Sequence, residues 1–269
     1  MRLTKHHGLG NDFLVLLDPP ADLDAPALAR KLCDRRRGIG ADGLMIARPG
    51  TDDADVTMEL RNADGGRAEM SGNGIRCFAQ AVWDAQVIGD AEGKAGTAGR
   101  AGQVLTVATD AGLRVVRRVD GNSSAVDMGP VKVVGEAPEW VTGTVEAAAL
   151  VDIGNPHLVL LDPGIASVEV STRGPEIEAT FPDGINVEWI WPGPGPDQIT
   201  LKVWERGAGE TEACGTGSCA AARAAADWGK APARVVVHNP GGDVTVELGE
   251  TATLIGPAAL IATIEVPWP

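Results

Sequence analysis

Two short segments carry the residues best suited to chemistry. Glu69-Met70-Ser71-Gly72-Asn73-Gly74 and Glu212-Ala213-Cys214-Gly215-Thr216-Gly217 each set a nucleophile-type side chain immediately before a Gly-x-Gly. Ile75, Phe78, Ala79 and Val82 then recur at helical spacing, and alanines fill the corresponding stretch of the second segment, so each Gly-x-Gly opens a helix. The N–H groups at a helix start lack intrahelical acceptors, and the positive end of the helix dipole attracts an anion such as a carboxylate. Glycines there are expected to let ligand atoms approach the backbone. The same field is expected to lower the Cys214 thiol from its ordinary value of about 8.5 toward a usable thiolate. A pair of such sites suggests a base on one face of a carbon and an acid on the other. That arrangement inverts a stereocentre by removing and returning a proton. An ordinary tight turn is the alternative for each Gly-x-Gly taken alone. Neither segment reads G-x-G-x-x-G after a strand with an acidic residue about 20 positions on, which disfavours a dinucleotide fingerprint. Gly89-Asp90-Ala91-Glu92-Gly93-Lys94 is one residue short of a phosphate-binding P-loop and lacks its Ser/Thr.

The elements that must position these residues recur within the chain. Gly10-Asn11-Asp12-Phe13-Leu14-Val15-Leu16-Leu17-Asp18 returns as Gly154-Asn155-Pro156-His157-Leu158-Val159-Leu160-Leu161-Asp162, seven of nine identical at an offset of 144. Val56–Leu60 aligns with Ile199–Val203 at an offset of 143, which also carries Gly66 onto Gly209, Glu69 onto Glu212, Gly72 onto Gly215 and Gly74 onto Gly217. The chain therefore reads as two copies of one unit that mixes strands and helices. In the first copy, strands are expected near 10–18, 43–48 and 56–61, with helices near 25–36 and from Gly72 to Ala85. In the second, the helix runs from Gly215 to Trp228, and Pro192–Pro196 turns between strands Val187–Trp191 and Gln198–Trp204. Gly89–Gln103, rich in Gly and Ala, reads as a flexible surface loop. The link between halves is expected near Asp120-Gly121-Asn122. The strand Ala258–Val266 lies beyond the second copy and is expected to return to the first, giving domains 1–122 (with 258–269) and 123–257.

Composition bounds the function. With 269 residues, 44% hydrophobic and 22% charged, the chain is globular, and its core is aliphatic because there are no tyrosines and only three Phe and seven Trp. A net charge of −14 is the wrong sign for a nucleic-acid or anionic-membrane binder. No apolar run is long enough to span a bilayer and no secretory signal opens the chain, so a cytoplasmic location is expected. Cys33, Cys77, Cys214 and Cys219 then read as thiols, and without a CxxC pair a structural zinc site is not expected.

At this point a resemblance becomes specific. His7-Gly8-Leu9-Gly10-Asn11-Asp12-Phe13, Gly72-Asn73-Gly74-Ile75-Arg76-Cys77, Gly154-Asn155-Pro156-His157, the run Glu205 to Gly215 and Asn239-Pro240-Gly241-Gly242 resemble diaminopimelate epimerase, in that family's order. The resemblance implies an α+β fold of two pseudo-symmetric domains, each a barrel-like sheet curled around a central helix, in a homodimer. It implies a cofactor-independent isomerase of lysine and peptidoglycan biosynthesis that interconverts LL- and meso-diaminopimelate. Asn11, Asn62, Asn155, Asn186, Glu205 and Arg206 would hold the substrate, and the backbone at Gly72-Asn73 and Gly215-Thr216 would cradle its α-carboxylate. Residue chemistry agrees: Arg206 suits a carboxylate and Glu205 an ammonium, although a surface salt bridge and turn-capping asparagines would look the same. His157 is a possible assistant to proton transfer, as is His7, though a histidine beside a Gly-Asn turn is as often structural.

One departure matters. The family carries cysteine before both Gly-x-Gly motifs; here the second is Cys214 but the first is Ser71. A hydroxyl is a far weaker acid than a thiol. Cys77 cannot replace it, since six helical residues carry it to another face and about 9 Å along the axis. Ser71 is thus a natural residue that still donates or relays a proton, an engineered change, or the mark of a neighbouring activity on this fold. A smaller departure is Gly43, the internal equivalent of Asn186, where some relatives carry a substrate-contacting glutamine. Two other readings stand beside the epimerase. One is a lyase removing water from a 3-hydroxyproline-type substrate; the other is a binding module without catalysis. Pyridoxal phosphate is not expected, because no motif supplies a Schiff-base lysine.

Overall fold

The structure, a computed structural model, describes residues 1–85, 103–162 and 170–267; the loop expected at Gly89–Gln103 lies outside them but for Gln103. The chain divides into two compact units, one of residues 1–126 with 256–269 and the other of 127–255.

The first unit begins with β1 (Arg2–Gly8), β2 (Asn11–Leu16), α1 (Ala25–Cys33), β3 (Gly43–Thr51) and β4 (Ala54–Asn62). It continues through β5 (Arg67–Ala68), α2 (Gly72–Asp84), β6 (Val104–Thr109), β7 (Gly112–Arg118) and β8 (Ser123–Gly129). The second unit holds β9 (Lys132–Glu136), α3 (Glu139–Thr142), β10 (Ala147–Asp152), β11 (Pro156–Leu161), α4 (Val170–Glu178) and β12 (Asn186–Pro192). There follow β13 (Gln198–Glu205), β14 (Gly209–Thr211), α5 (Gly215–Asp227), β15 (Arg234–Asn239), β16 (Gly242–Leu248) and β17 (Ala252–Pro257). The last strand, β18 (Ala259–Glu265), pairs antiparallel with β1 of the first unit. The turn at Asp120–Asn122 lies just before the unit boundary. It closes the β7–β8 hairpin, with Asp120 accepting from the amides of Asn122 and Ser123 at 3.0 and 2.8 Å, and the unit boundary falls after Val126, inside β8.

The two units share one pairing scheme. Strands run β18-β1-β2-β3-β4-β6-β7-β8 in the first and β9-β10-β11-β12-β13-β15-β16-β17 in the second, each with the same sequence of parallel and antiparallel pairs. The registers match residue for residue: Phe13 pairs with Gly43 as His157 pairs with Asn186. A register shift even recurs, at Lys5/His6 in β1 and Leu150/Val151 in β10.

In each unit the sheet curls around one helix. α2 buries every residue from Gly72 to Trp83 and packs against β1, β2, β7 and β18. α5 packs against strands from β9 to β16, and its alanines allow the close approach. Because the sheet has a second helix outside, its central strands are buried on both faces. Leu14, Leu16, Leu44 and Ile46 face α1, while Leu158, Leu160, Val187 and Trp189 face α4. No described helix is long and apolar enough to cross a membrane.

The duplication supplies an internal control for stability. His6 is 1% exposed and neither ring nitrogen has a hydrogen-bond partner, whereas the second unit places buried Val151 at the equivalent strand position. Burial holds the His6 imidazole down to about 4 from an ordinary 6.5, against the opposing pull of Asp84. Between those values the unfolded chain binds a proton that the folded chain refuses, so folding stability falls as pH drops through that window. The full loss is on the order of 3 kcal/mol. His6→Val is expected to remove this acid slope in urea unfolding measured from pH 7 to 4. A slope unchanged from wild type would contradict it.

Candidate active site

Each Gly-x-Gly opens a helix capped by the residue before it. Ser71 and Cys214 both adopt extended backbone, φ −135°, ψ 124° and φ −123°, ψ 120°. Ser71 Oγ accepts from the Gly74 amide at 3.0 Å, and Cys214 Sγ accepts from the Gly217 amide at 3.3 Å. These are N-cap bonds to the third helical amide. In α5 they leave the Gly215 and Thr216 N–H groups without an intrahelical acceptor.

The second glycine of each motif answers to packing rather than to ligand approach. A Cβ on Gly74 would meet Ser71 Cβ at 3.0 Å and Met45 Sδ at 3.4 Å. On Gly217 it would lie 2.6 Å from Glu188 Oε1 and 3.2 Å from Cys214 Sγ. Gly217→Ala is therefore expected to cost about 1–3 kcal/mol of stability through overpacking, read from denaturant midpoints. A variant as stable as wild type would show that the Glu188 carboxylate is free to move.

Around Ser71 the setting is largely apolar. Met45, 0% exposed, reaches the helix start, its Sδ 3.4 Å from where a Gly74 Cβ would sit, and Phe13 on β2 is 5% exposed. Asn73 donates to Asn11 Oδ1 at 3.5 Å and accepts from Arg76 at 2.8 Å. Buried Arg76 also donates to Gly72 O at 2.9 Å. Asn11 in turn donates from Nδ2 to Asp42 Oδ2 at 2.6 Å, in a network where Arg35 binds both Asp12 and Asp42, and Lys5 pairs with Asp12. Asn62 stands opposite Gly43 at the exposed end of β4. A Cβ on Gly43 would lie 2.7 Å from Arg61 O, so this chain has no room for the glutamine of some relatives.

Around Cys214 the setting is charged. His157 and Glu188, at the positions of Phe13 and Met45, are both fully buried, with His157 Nδ1 2.6 Å from Glu188 Oε1. His157 Nε2 lies 3.1 Å from Asn155 Oδ1, Asn155 Nδ2 donates to Thr216 Oγ1 at 3.5 Å, and Thr216 Oγ1 is 3.4 Å from Cys214 Sγ. Glu205, at the position of Asn62, accepts from Thr211 Oγ1 and acts on Cys214 through its charge. The Asn186 amide is engaged by backbone at both ends: Nδ2 donates to Pro156 O at 2.9 Å and Oδ1 accepts from the Arg206 amide at 3.0 Å. The exposed Arg206 side chain lies over Gly184 (φ +68°), where a Cβ would come within 2.9 Å of its methylenes.

The expected low thiol value of Cys214 is corrected by these neighbours. Burial, then the carboxylates of Glu205 and Glu188, push it well above the ordinary thiol value, outweighing the hydrogen bonds from Thr216 and the Gly217 amide. Cys214 therefore rests as a thiol. Glu205 is raised as well, chiefly by burial, so it can hold a proton where an ordinary carboxylate would not. Sequence reasoning missed Glu188 as part of this setting; its only mark was a carboxylate inside an otherwise apolar strand.

The other thiols are packed. Cys77 and Cys219 are 0% exposed and Cys33 is 2% exposed. Burial pushes Cys77 up to about 12 and Cys33 to about 11. His7 accepts from the Gly10 amide at 3.2 Å, a turn contact. Among the described residues no group of three His, Cys, Asp or Glu side chains is placed to hold a metal.

Comparison with known proteins gives the family and the fold. The family model described as diaminopimelate epimerase matches residues 3–134 and 149–261. The chain is 40% identical to a diaminopimelate epimerase of Desulfitobacterium hafniense, over 97% of this chain and 96% of that protein. It is 40% identical to one of Corynebacterium glutamicum, over 98% and 97%. In fold it is similar to a predicted epimerase from Pseudomonas aeruginosa, with TM-score 0.73 and 15% identity over 100% and 99% of the two chains. It is similar also to a probable proline racemase from Agrobacterium radiobacter, with TM-score 0.72 and 18% identity over 100% and 93%.

Proposed function

This chain belongs to the diaminopimelate epimerase family, and we propose that it interconverts LL- and meso-diaminopimelate by proton transfer at the α-carbon. The reading carries a place in lysine and peptidoglycan biosynthesis. Family membership favours it over the dehydratase, which needs only one base.

The observation that supports the chemistry best is Cys214 at the start of α5, its Sγ accepting from the Gly217 amide at 3.3 Å with the Glu205 and Glu188 carboxylates near enough to act on it. Glu205 takes the thiol proton, and the thiolate so formed removes the α-hydrogen. The C–H electron pair passes into the α-carboxylate, which the helix-start amides at Gly72-Asn73 and Gly215-Thr216 hold by their N–H groups. A proton returned on the opposite face by the Ser71 hydroxyl completes the inversion, and Ser71 recovers one from solvent. Glu205 returns its proton to solvent, which resets the site; in the reverse direction Ser71, having lost its proton to solvent, removes the α-hydrogen and the Cys214 thiol is the donor. Asn11, Asn62, Asn155, Asn186 and Arg206 fix the remaining polar groups of the substrate, Arg206 through its guanidinium on a carboxylate. Asn186 acts by holding the Arg206 backbone.

We place this activity in the cytoplasm and in a homodimer. The dimer is supported by Val104, Leu113 and Val115, apolar side chains exposed on β6 and β7. The test of the function is incubation of meso-diaminopimelate with the protein and chiral chromatography of the product. The LL isomer should accumulate to equilibrium. Absorbance from an unsaturated ring on a 3-hydroxyproline substrate, with no LL isomer formed, would favour the lyase instead.

A further inference from the structure

The duplication shows which buried polar groups the fold does not require. On β2 and β3 the first unit buries Phe13 and Met45, and the same two positions of the second bury His157 and Glu188. A fully buried polar pair is a weak source of stability, and apolar residues of similar size serve as well or better. Here the chain itself uses such residues at the equivalent sites. The pair is therefore retained for something other than folding.

Its hydrogen bonds indicate what. His157 Nδ1 faces a carboxylate oxygen of Glu188 at 2.6 Å, and Nε2 faces Asn155 Oδ1 at 3.1 Å. Glu188 is the acceptor at Nδ1, and Asn155 turns its oxygen, not its NH2 group, toward Nε2. With its oxygen held in this way, Asn155 presents its NH2 group outward, toward Thr216 at the start of α5. The equivalent Asn11 is set the other way. Its Nδ2 is held by Asp42 at 2.6 Å, and its oxygen is the group left to accept, here from Asn73. Two asparagines at matching positions thus carry opposite polarity, one a donor and one an acceptor.

We propose that Glu188 is a positioning residue which, through His157, fixes Asn155 as a hydrogen-bond donor to a carboxylate of the substrate. This rests on the proposed function only for the identity of that substrate. Glu188 also packs against Gly217, whose absent Cβ leaves room for its carboxylate oxygen. Glu188 thereby reaches the helix start without touching the reacting atoms.

The test is a pair of single variants and their combination, with diaminopimelate as the probe in both turnover and calorimetric binding. Glu188→Gln is expected to raise KM and Kd roughly 10- to 100-fold, the loss of one hydrogen bond to a charged group. The effect on kcat is expected to be smaller, because the contact serves ground state and transition state alike. In an Asn155→Ala background the same change should add less than about twofold, since the two residues act in series. An unchanged Kd in Glu188→Gln overturns the proposal, as does a full-sized effect that persists without Asn155. Should Glu188→Gln fail to fold, the double variant His157→Phe/Glu188→Met carries the test. It installs the first unit's residues and is expected to melt as wild type while showing the raised Kd; a wild-type Kd would overturn the proposal. A wild-type protein that does not bind diaminopimelate would defeat the proposed function itself. Wild-type binding that the variants leave unaltered would defeat only the role of Glu188.

Discussion

Cys214→Ala is expected to reduce α-proton exchange on the order of 10³-fold, within the range of removing a positioned acid–base group. The thiol caps the Gly217 amide, is 5% exposed and lies under the influence of the Glu205 and Glu188 carboxylates. The variant also loses the cap, at about 1 kcal/mol, which a thermal melt will register separately from the loss of activity. Cys214→Ser keeps a capping acceptor and so controls for that loss. Its stability should approach wild type while exchange stays low. Proton exchange in Cys214→Ala within tenfold of wild type would remove Cys214 from the chemistry.

Ser71→Cys is expected to raise the rate of inversion by about 10²-fold, because a thiol gives up and recovers a proton far more readily than an aliphatic hydroxyl. The site is already shaped for it. Cys214 makes the same cap bond from nearly the same backbone angles, so a thiol at position 71 needs no change of main chain. The surroundings differ in one respect. Cys214 lies beside Glu205 and Glu188, whereas the residues equivalent to these are Asn62 and Met45. The two carboxylates that push Cys214 upward thus have no counterpart at the equivalent positions of the first unit. A rate unchanged by Ser71→Cys, with diaminopimelate saturating, would show that the hydroxyl does not limit turnover.

The repeat made most of the architecture legible, because a shared offset locates equivalent strands even where each alone is ambiguous. Thus β2, β3 and β4 and their copies follow from apolar runs, and α2 and α5 follow from a capping residue before Gly-x-Gly. The strand β1 was not legible. Its register shift at Lys5/His6 moves the buried positions from Leu3 to His6 and breaks the alternation on which strand reading depends. The β7–β8 hairpin was not legible, because Asp120-Gly121-Asn122 has turn chemistry whether it joins domains or closes a hairpin. At the site, residue type identified Cys214 and Glu205 but not the thiol's resting state. That state depends on how many carboxylates the fold brings against a buried sulfur, a three-dimensional sum that spacing does not contain. Glu188 was hidden for the same reason, since a lone carboxylate in a strand acquires meaning only from the histidine across the sheet.

Deuterium incorporation from heavy water into each stereoisomer of diaminopimelate tests the two-sided mechanism most directly. The wild-type protein should place one solvent deuterium on the α-carbon of the inverted product from either starting isomer, followed by mass spectrometry of the separated isomers. Absence of α-deuterium from both LL- and meso-diaminopimelate, in protein that is folded and saturated with substrate, would contradict it.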